Sequence, residues 1–259
     1  MTMGAYDLAV AGLKLDVSGA VATVTLNRPE VRNAQTPAMW AGLAAIGEQL
    51  ADDVRVVVVK GAGPSFSAGL DRAMLDPTSG DVASLLQLDD EAAGKVIDGY
   101  QQGFTWLRDP RFISIAAVHG YAIGAGFQLA LSCDLRVLAE DAQFSMKEPA
   151  LGLVPDLTGT KPLVEAVGYQ RALEICATTR MVGAEEAVRL GLAMTAVPTD
   201  RLDTTVTELA TALTANVAGA VSATKALLQS ALDEDLDTQR WAEREAQVRR
   251  FRELAGPTT

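Results

Sequence analysis

Residues 112 to 138 read FISIAAVHGYAIGAGFQLALSCDLRVL, and this stretch decides the fold. Residues 112 to 118 are too apolar for a half-exposed strand and read as one buried on both faces. The loop HGYAIGAG follows, then an apolar run at 127 to 133 that reads as a buried helix, then a strand at 135 to 138. Strand, glycine-rich loop, helix and strand in series indicate an α/β fold with a sheet wrapped by helices.

The same layout occurs earlier in the chain. Residues 54 to 60 contain four consecutive valines and read as a buried strand, followed by the loop GAGPSFSAGLD at 61 to 71. Further out, 13 to 17 and 21 to 27 flank Ser18-Gly19-Ala20 as an antiparallel hairpin that Asn27-Arg28-Pro29 terminates. A helix is predicted from about 36 to 50, with Thr36 as its N-cap and Pro37 at its first position. Residues 75 to 103 are acidic and weakly periodic, which fits an amphipathic helix with a solvated face better than a mobile flap. Beyond Pro198, three helices are predicted near 200 to 216, 219 to 232 and 237 to 253. The expected organisation is a core at 1 to 198 carrying the site and a helical region at 199 to 259, in one continuous folding unit.

Composition narrows the function. The 259 residues carry 22 Lys and Arg against 33 Asp and Glu, a net charge of −11, which argues against a broad cationic surface for nucleic acid or an anionic bilayer. Apolar residues at 49% with 21% charged are enough for a sizeable core. Cys133, Cys176 and His119 are the only thiols and imidazole, too few for a four-ligand zinc site, so no metal is expected. The start MTMGAYDLAV lacks the pattern of a secretory leader and no apolar stretch is long enough to span a membrane; a cytoplasmic protein with reduced thiols is expected.

Two common catalytic systems fit poorly. A serine hydrolase would have to use His119, and no GxSxG elbow is present. A dinucleotide fingerprint would need a glycine where Leu129 stands. His119 reads as a structural imidazole. The two loops FSAGLD and YAIGAGFQ have a sharper joint reading: backbone N–H groups near Leu70 and at Ala125, the second at a helix N-terminus, could converge on one oxygen as an oxyanion hole suited to an enolate.

At this point the sequence resembles the enoyl-CoA hydratase/isomerase (crotonase) superfamily. NRPEVRNA, VVVVKGAGPSFSAGLD, ISIAAVHGYAIGAGFQLALSCDLRVLAEDAQFSMKEPALGLVPDLTGT and AEEAVRLGLAMTAVP occur in that family's order and spacing, over roughly 13 to 200. The resemblance implies a spiral of ββα repeats, a C-terminal helical region that builds homotrimers or homohexamers, and an acyl-CoA thioester as substrate. Coenzyme A would be part of that substrate, with no further cofactor.

Carried over by position, the oxyanion donors are Leu70 and Ala125, the latter standing where the family most often has glycine. Of the two glutamates that the hydratase branch sets about a water, one is present as Glu148, and the other position holds Gln128, an amide that cannot exchange a proton at neutral pH. A third position holds Asp156, as in dienoyl-CoA isomerases and the ring-opening isomerase of phenylacetate degradation. Asp156 could instead cap a helix starting near Thr158. Arg28, Arg32, Ala68 and Arg72 fall in segments that resemble the family's CoA-contacting loops. Arg249, Arg250 and Arg252 either reach a neighbouring subunit's CoA or lace a helix face with acid-base pairs.

The expected activity is double-bond isomerisation through an oxyanion-held enolate, with Glu148 as base and Asp156 as partner acid or alternative base. Hydration by Glu148 and Asp156 is the nearest alternative. A non-catalytic acyl-CoA-binding protein is the alternative from another class. A dehalogenase with Asp156 as nucleophile lacks an obvious second-step base.

Overall fold

The computed structural model describes residues 7–76, 78 and 80–255. The leader reading rests partly on residues 1–6, and the end of the helical region on 256–259; both lie outside the described residues.

Strands β1 (Leu13–Ser18) and β2 (Val21–Leu26) form the predicted hairpin. Helix α1 (Pro37–Gln49) begins as expected, with the Thr36 side chain accepting from the Met39 N–H and Pro37 at the first position. After β3 (Val56–Gly61) come the short helix α2 (Asp81–Leu85) and α3 (Asp90–Thr105), which is the amphipathic helix of the acidic segment. Its Tyr100 and Phe104 rings pack on Trp40 of α1. The deciding stretch becomes β4 (Ile113–Val118), β5 (Tyr121–Ile123), α4 (Ala125–Ser132) and β6 (Leu135–Ala139). It is followed by β7 (Gln143–Ser145), α5 (Thr160–Val167), α6 (Tyr169–Thr178), β8 (Val182–Gly183), α7 (Ala184–Arg189) and β9 (Thr195–Val197). Helices α8 (Leu202–Thr214), α9 (Ala218–Ser230) and α10 (Leu236–Ala255) complete the chain.

A six-stranded sheet runs β1-β2-β3-β4-β6-β9, parallel except for the opening hairpin, and a three-stranded sheet runs β5-β7-β8. Successive turns of the chain place one strand in the large sheet and the next in the small one before a helix: β4 and β5 precede α4, and β6 and β7 precede α5. The first loop joins this second layer through a parallel bridge between Ser67 and Ala122. This is the expected spiral of strand, strand and helix.

The valine run of β3 has a simple cause. Val57 and Val59 enter the main core with Leu43, Phe104, Phe127 and Leu138, whereas Val56 and Val58 enter a second core with Ile115, Ala117 and Val137. Leu202, Val206 and Ala210, spaced four apart along α8, close that second core. Each central strand is therefore covered on both faces, and alternation disappears from its sequence.

At the rim of the sheet Lys225 of α9 is buried, and its ammonium donates to the carbonyls of Asp109 and Phe112 and to Asp134, each at 2.7 Å. Among the described residues no helix is long and apolar enough to cross a membrane, and no cluster of side chains could hold a metal ion.

Candidate active site

Parallel strands send their loops to one edge of a sheet, and there the loops after β3, β5 and β7 meet around a cleft of about 430 Å³. Its wall includes Leu70, Ile123, Ala125, Glu148, Leu151 and Leu153, with Arg32, Arg72 and Lys147 as its cations. That volume lies within the range of pockets that enclose a small organic ligand, roughly 300–1,000 Å³.

Two glycines let these loops approach one another. Gly69, at φ +90°, would bring a Cβ within 2.4 Å of the Ile123 carbonyl oxygen, so only glycine fits both the conformation and the contact. Gly124, at φ +51°, turns the chain from β5 into α4, and a Cβ there would lie 3.1 Å from Glu148 Oε1. Flanking residues hold the first loop in extended pairing: the Gln35 N–H donates to Gly69 and the Asp71 N–H to Gln35, which leaves the intervening Leu70 N–H without an acceptor among the described residues. Ala125 opens α4, and its N–H is likewise uncommitted among the described residues. Both proposed donors therefore line one cleft with their N–H groups free.

The loop is anchored by side chains whose importance the sequence reading missed. Buried Asn33, at φ +55°, donates from Nδ2 toward the carbonyls of Ala62, Ser65 and Phe66, and its Oδ1 accepts from the Arg28 N–H. Gln35 Nε2 donates to Ser67 Oγ, which accepts from the Gly69 N–H and donates to the Asn33 carbonyl. Only Ser67, between Phe66 and Ala68, offered a signal as a polar residue among apolar ones, and burial could not be read from it. Lys147 was also overlooked; it stands beside Glu148 and donates to the Thr179 carbonyl at 2.9 Å.

Glu148 opens a 3₁₀ turn after β7 and is only 8% exposed. Oε1 accepts from Gln128 Nε2 at 2.6 Å, while Oε2 is buried with no hydrogen-bond partner among the described residues. Burial pushes its pKa above the ordinary carboxylate value; hydrogen bonds from backbone and from Gln128 oppose this, and the nearby charge of Asp156 adds to it. A desolvated carboxylate with an unpartnered oxygen is costly to maintain and marks a group kept for chemistry.

The remaining sequence candidates divide. Arg32, Ala68 and Arg72 line the cleft, and neither guanidinium is engaged by another described residue. Arg28 does not line it, because its guanidinium donates to the Ala34 carbonyl and pairs with Asp71 at 3.1 Å, tying two loops together. Gln128 is fully buried behind the wall. Asp156 is exposed, although desolvation by the surrounding chain still pushes its carboxyl pKa up, and it is not among the cleft-lining residues. The capping role considered for it is not realised: α5 starts at Thr160, and Gly159 is its cap without a side-chain bond. His119 is structural, its Nε2 lying 2.8 Å from the Gly63 carbonyl. Arg249 and Arg250 pair with Glu245 and Glu253 on their own helix, as in the local reading of that face.

Loops that offer two free main-chain donors beside a desolvated carboxylate define an acyl-thioester cleft of crotonase type, and the sequence signature of the Enoyl-CoA hydratase/isomerase family matches residues 16–255. The chain belongs to that family. Among solved structures, a Thermobifida fusca YX protein in complex with acetoacetyl-CoA superposes with a TM-score of 0.91 at 52% identity, covering 94% of this chain and 96% of that one. The short-chain-enoyl-CoA hydratase of Clostridium acetobutylicum is 31% identical over 90% of this chain and 86% of its own length. The mitochondrial Delta(3,5)-Delta(2,4)-dienoyl-CoA isomerase of Rattus norvegicus is 36% identical over 65% of this chain and 53% of its own. Hydratases and isomerases both stand among the relatives, and the protein is an enzyme of acyl-CoA chemistry.

Proposed function

We propose that this enzyme moves a double bond along an enoyl-CoA thioester, using Glu148 as the base and the N–H groups of Leu70 and Ala125 as donors to the enolate oxygen. The observation that carries this reading is the acid inventory: among the described residues Glu148 is the only carboxylate lining the cleft. The position where a hydratase has its other acid holds Gln128, whose amide already donates to Glu148. In the proposed step the Glu148 carboxylate takes a proton from the carbon α to the thioester, and the electron pair moves onto the carbonyl oxygen. Leu70 and Ala125 hold that oxygen, and the proton returns at a carbon further along the chain. No net oxidation occurs, so the reading needs no cofactor beyond the CoA that the substrate carries. Arg32, Ala68 and Arg72, on the cleft wall, would meet the CoA moiety. Assembly into trimers or hexamers through the C-terminal helices and a cytoplasmic setting belong to the same reading.

Hydration is the second reading. It is favoured by Asp156, close enough to raise the Glu148 pKa, which would share a water with Glu148. Crotonyl-CoA and trans-3-hexenoyl-CoA separate the two. Isomerisation converts the second to its conjugated isomer and leaves the first unchanged, while hydration gives 3-hydroxyacyl-CoA from crotonyl-CoA. Fast formation of the hydroxy product would overturn the isomerase reading, and tight binding without turnover of either ester would leave a binding protein.

A further inference from the structure

We propose that Gln128 is a positioning residue that grips Glu148 by one carboxylate oxygen and so makes it a one-oxygen base, a role that rests on Glu148 being the base. Gln128 lies in the first turn of α4, fully buried and away from the cleft wall. Its Nε2 donates to Glu148 Oε1 at 2.6 Å, while its own Oε1 accepts from the N–H groups of Leu157 at 2.9 Å and Gly159 at 3.2 Å.

Those two backbone donors converge because Thr158 between them is left-handed at φ +66°. Gly159 presses so close that a Cβ there would lie 2.6 Å from Gln128 Cγ. The surroundings also fix which way the amide faces. Reversed, its NH₂ would confront two N–H groups and its oxygen would confront a carboxylate, so neither end would find a partner. Glu148 Oε1 is thereby fixed, and Oε2, with no partner among the described residues, is the oxygen left to take a proton.

A glutamate at 128 would accept the same two backbone bonds but would set a second carboxylate about as close to Glu148 as the amide now stands. Two acids at that separation cannot both ionise and would share one proton, titrating as a pair. The amide donates at every pH, so the base meets a partner that never switches. Asp156, which raises the Glu148 pKa, the Cys176 thiol, whose pKa Glu148 raises, and Lys147 are the other ionisable groups beside this carboxylate.

The test is the pH profile of kcat and KM for the full chain carrying Gln128→Leu, Gln128→Glu or Glu148→Gln, read on whichever of trans-3-hexenoyl-CoA and crotonyl-CoA turns over. Gln128→Leu should lower kcat on the order of a hundredfold through loss of alignment, with KM within about twofold because residue 128 does not line the cleft. Its acid limb should move to higher pH, since a donor to the charged carboxylate is gone. Gln128→Glu should recover activity while the pair keeps its shared proton and then lose it, adding an alkaline limb absent from the wild type. Wild-type kcat and an unmoved acid limb in Gln128→Leu overturn the proposal; where that variant fails to fold, a Gln128→Glu profile superimposable on the wild type does so. Glu148→Gln separates the two levels. Full activity there rejects Glu148 as base, while its inactivity alongside an unaffected Gln128→Leu rejects only the grip.

Discussion

Around the cleft, side chains are committed inward: Asn33 spans three carbonyls, Ser67 bonds three loop groups, and Gln128 joins two segments. Along α10, twenty residues bury only Ala246, while Leu236, Trp241, Phe251 and Leu254 stand exposed. The first region carries its own partners within the chain. The second offers apolar surface that the other described residues do not cover, and the proposed assembly would bury it. Helix α8 stands between the two: it lies in the C-terminal region by sequence, yet its Leu202, Val206 and Ala210 close a core begun by β3, β4 and β6.

That contrast can be broken most severely by truncation. Removing 200 to 259 should yield insoluble protein, because it uncovers Val56, Val58, Ile115 and Val137, whereas removing 236 to 259 should leave a folded protein of smaller assembly state. Light scattering reads both, and a monodisperse monomer of the intact chain would sink the assembly reading. Next in size is Glu148→Gln, which should cost about 10²- to 10⁴-fold in turnover, with Asp156→Asn costing less, in assays on trans-3-hexenoyl-CoA. Lys225→Met tests the joint between the regions. It leaves the partly buried Asp134 without its cation and should cost up to about 3–5 kcal/mol in denaturant unfolding, with partial recovery on adding Asp134→Leu.

The smallest effect concerns pH. Because burial raises the folded-state pKa of Glu148 above its ordinary 4.5, the native state holds this proton more tightly than the unfolded chain. Below 4.5 both states are protonated and nothing is lost; as pH rises from there through the raised folded value, stability falls and stays lower above it. Glu148→Gln should therefore melt higher than the wild type at neutral pH, with the difference vanishing on acidification below about 4.5. Equal melting temperatures at both pH values would remove the desolvation argument.

Strands and helices were legible wherever burial leaves an apolar run or a capping residue marks an end. The runs at 54 to 60 and 112 to 118 and the capped helix after Thr36 appear within one or two residues of their predicted ends. Leu70, Ala125 and Glu148 were found because motifs place them, and all three line one cleft. What stayed hidden were contacts between distant segments. Nothing in NRPEVRNA tells that Arg28 is used on Asp71, 43 residues away, while Arg32 faces the cleft. The cap considered as the alternative role for Asp156 rested on spacing alone, and the left-handed Thr158 that delays α5 has no signature in its residue type.

The free donors at Leu70 and Ala125 belong to the main chain, and the contact that sets them beside one another runs through Gly69 and the Ile123 carbonyl. A codon change at 70 or 125 that keeps the backbone course replaces a side chain and leaves its N–H where it was; one at 69 or 124 displaces the scaffold itself. Exchanges of carboxylate for amide at 128, 148 and 156 fall outside that contact and would leave the main chain at 69 and 124 as it is. A descendant of this chain could alter where its proton goes while inheriting the proposed enolate seat unchanged.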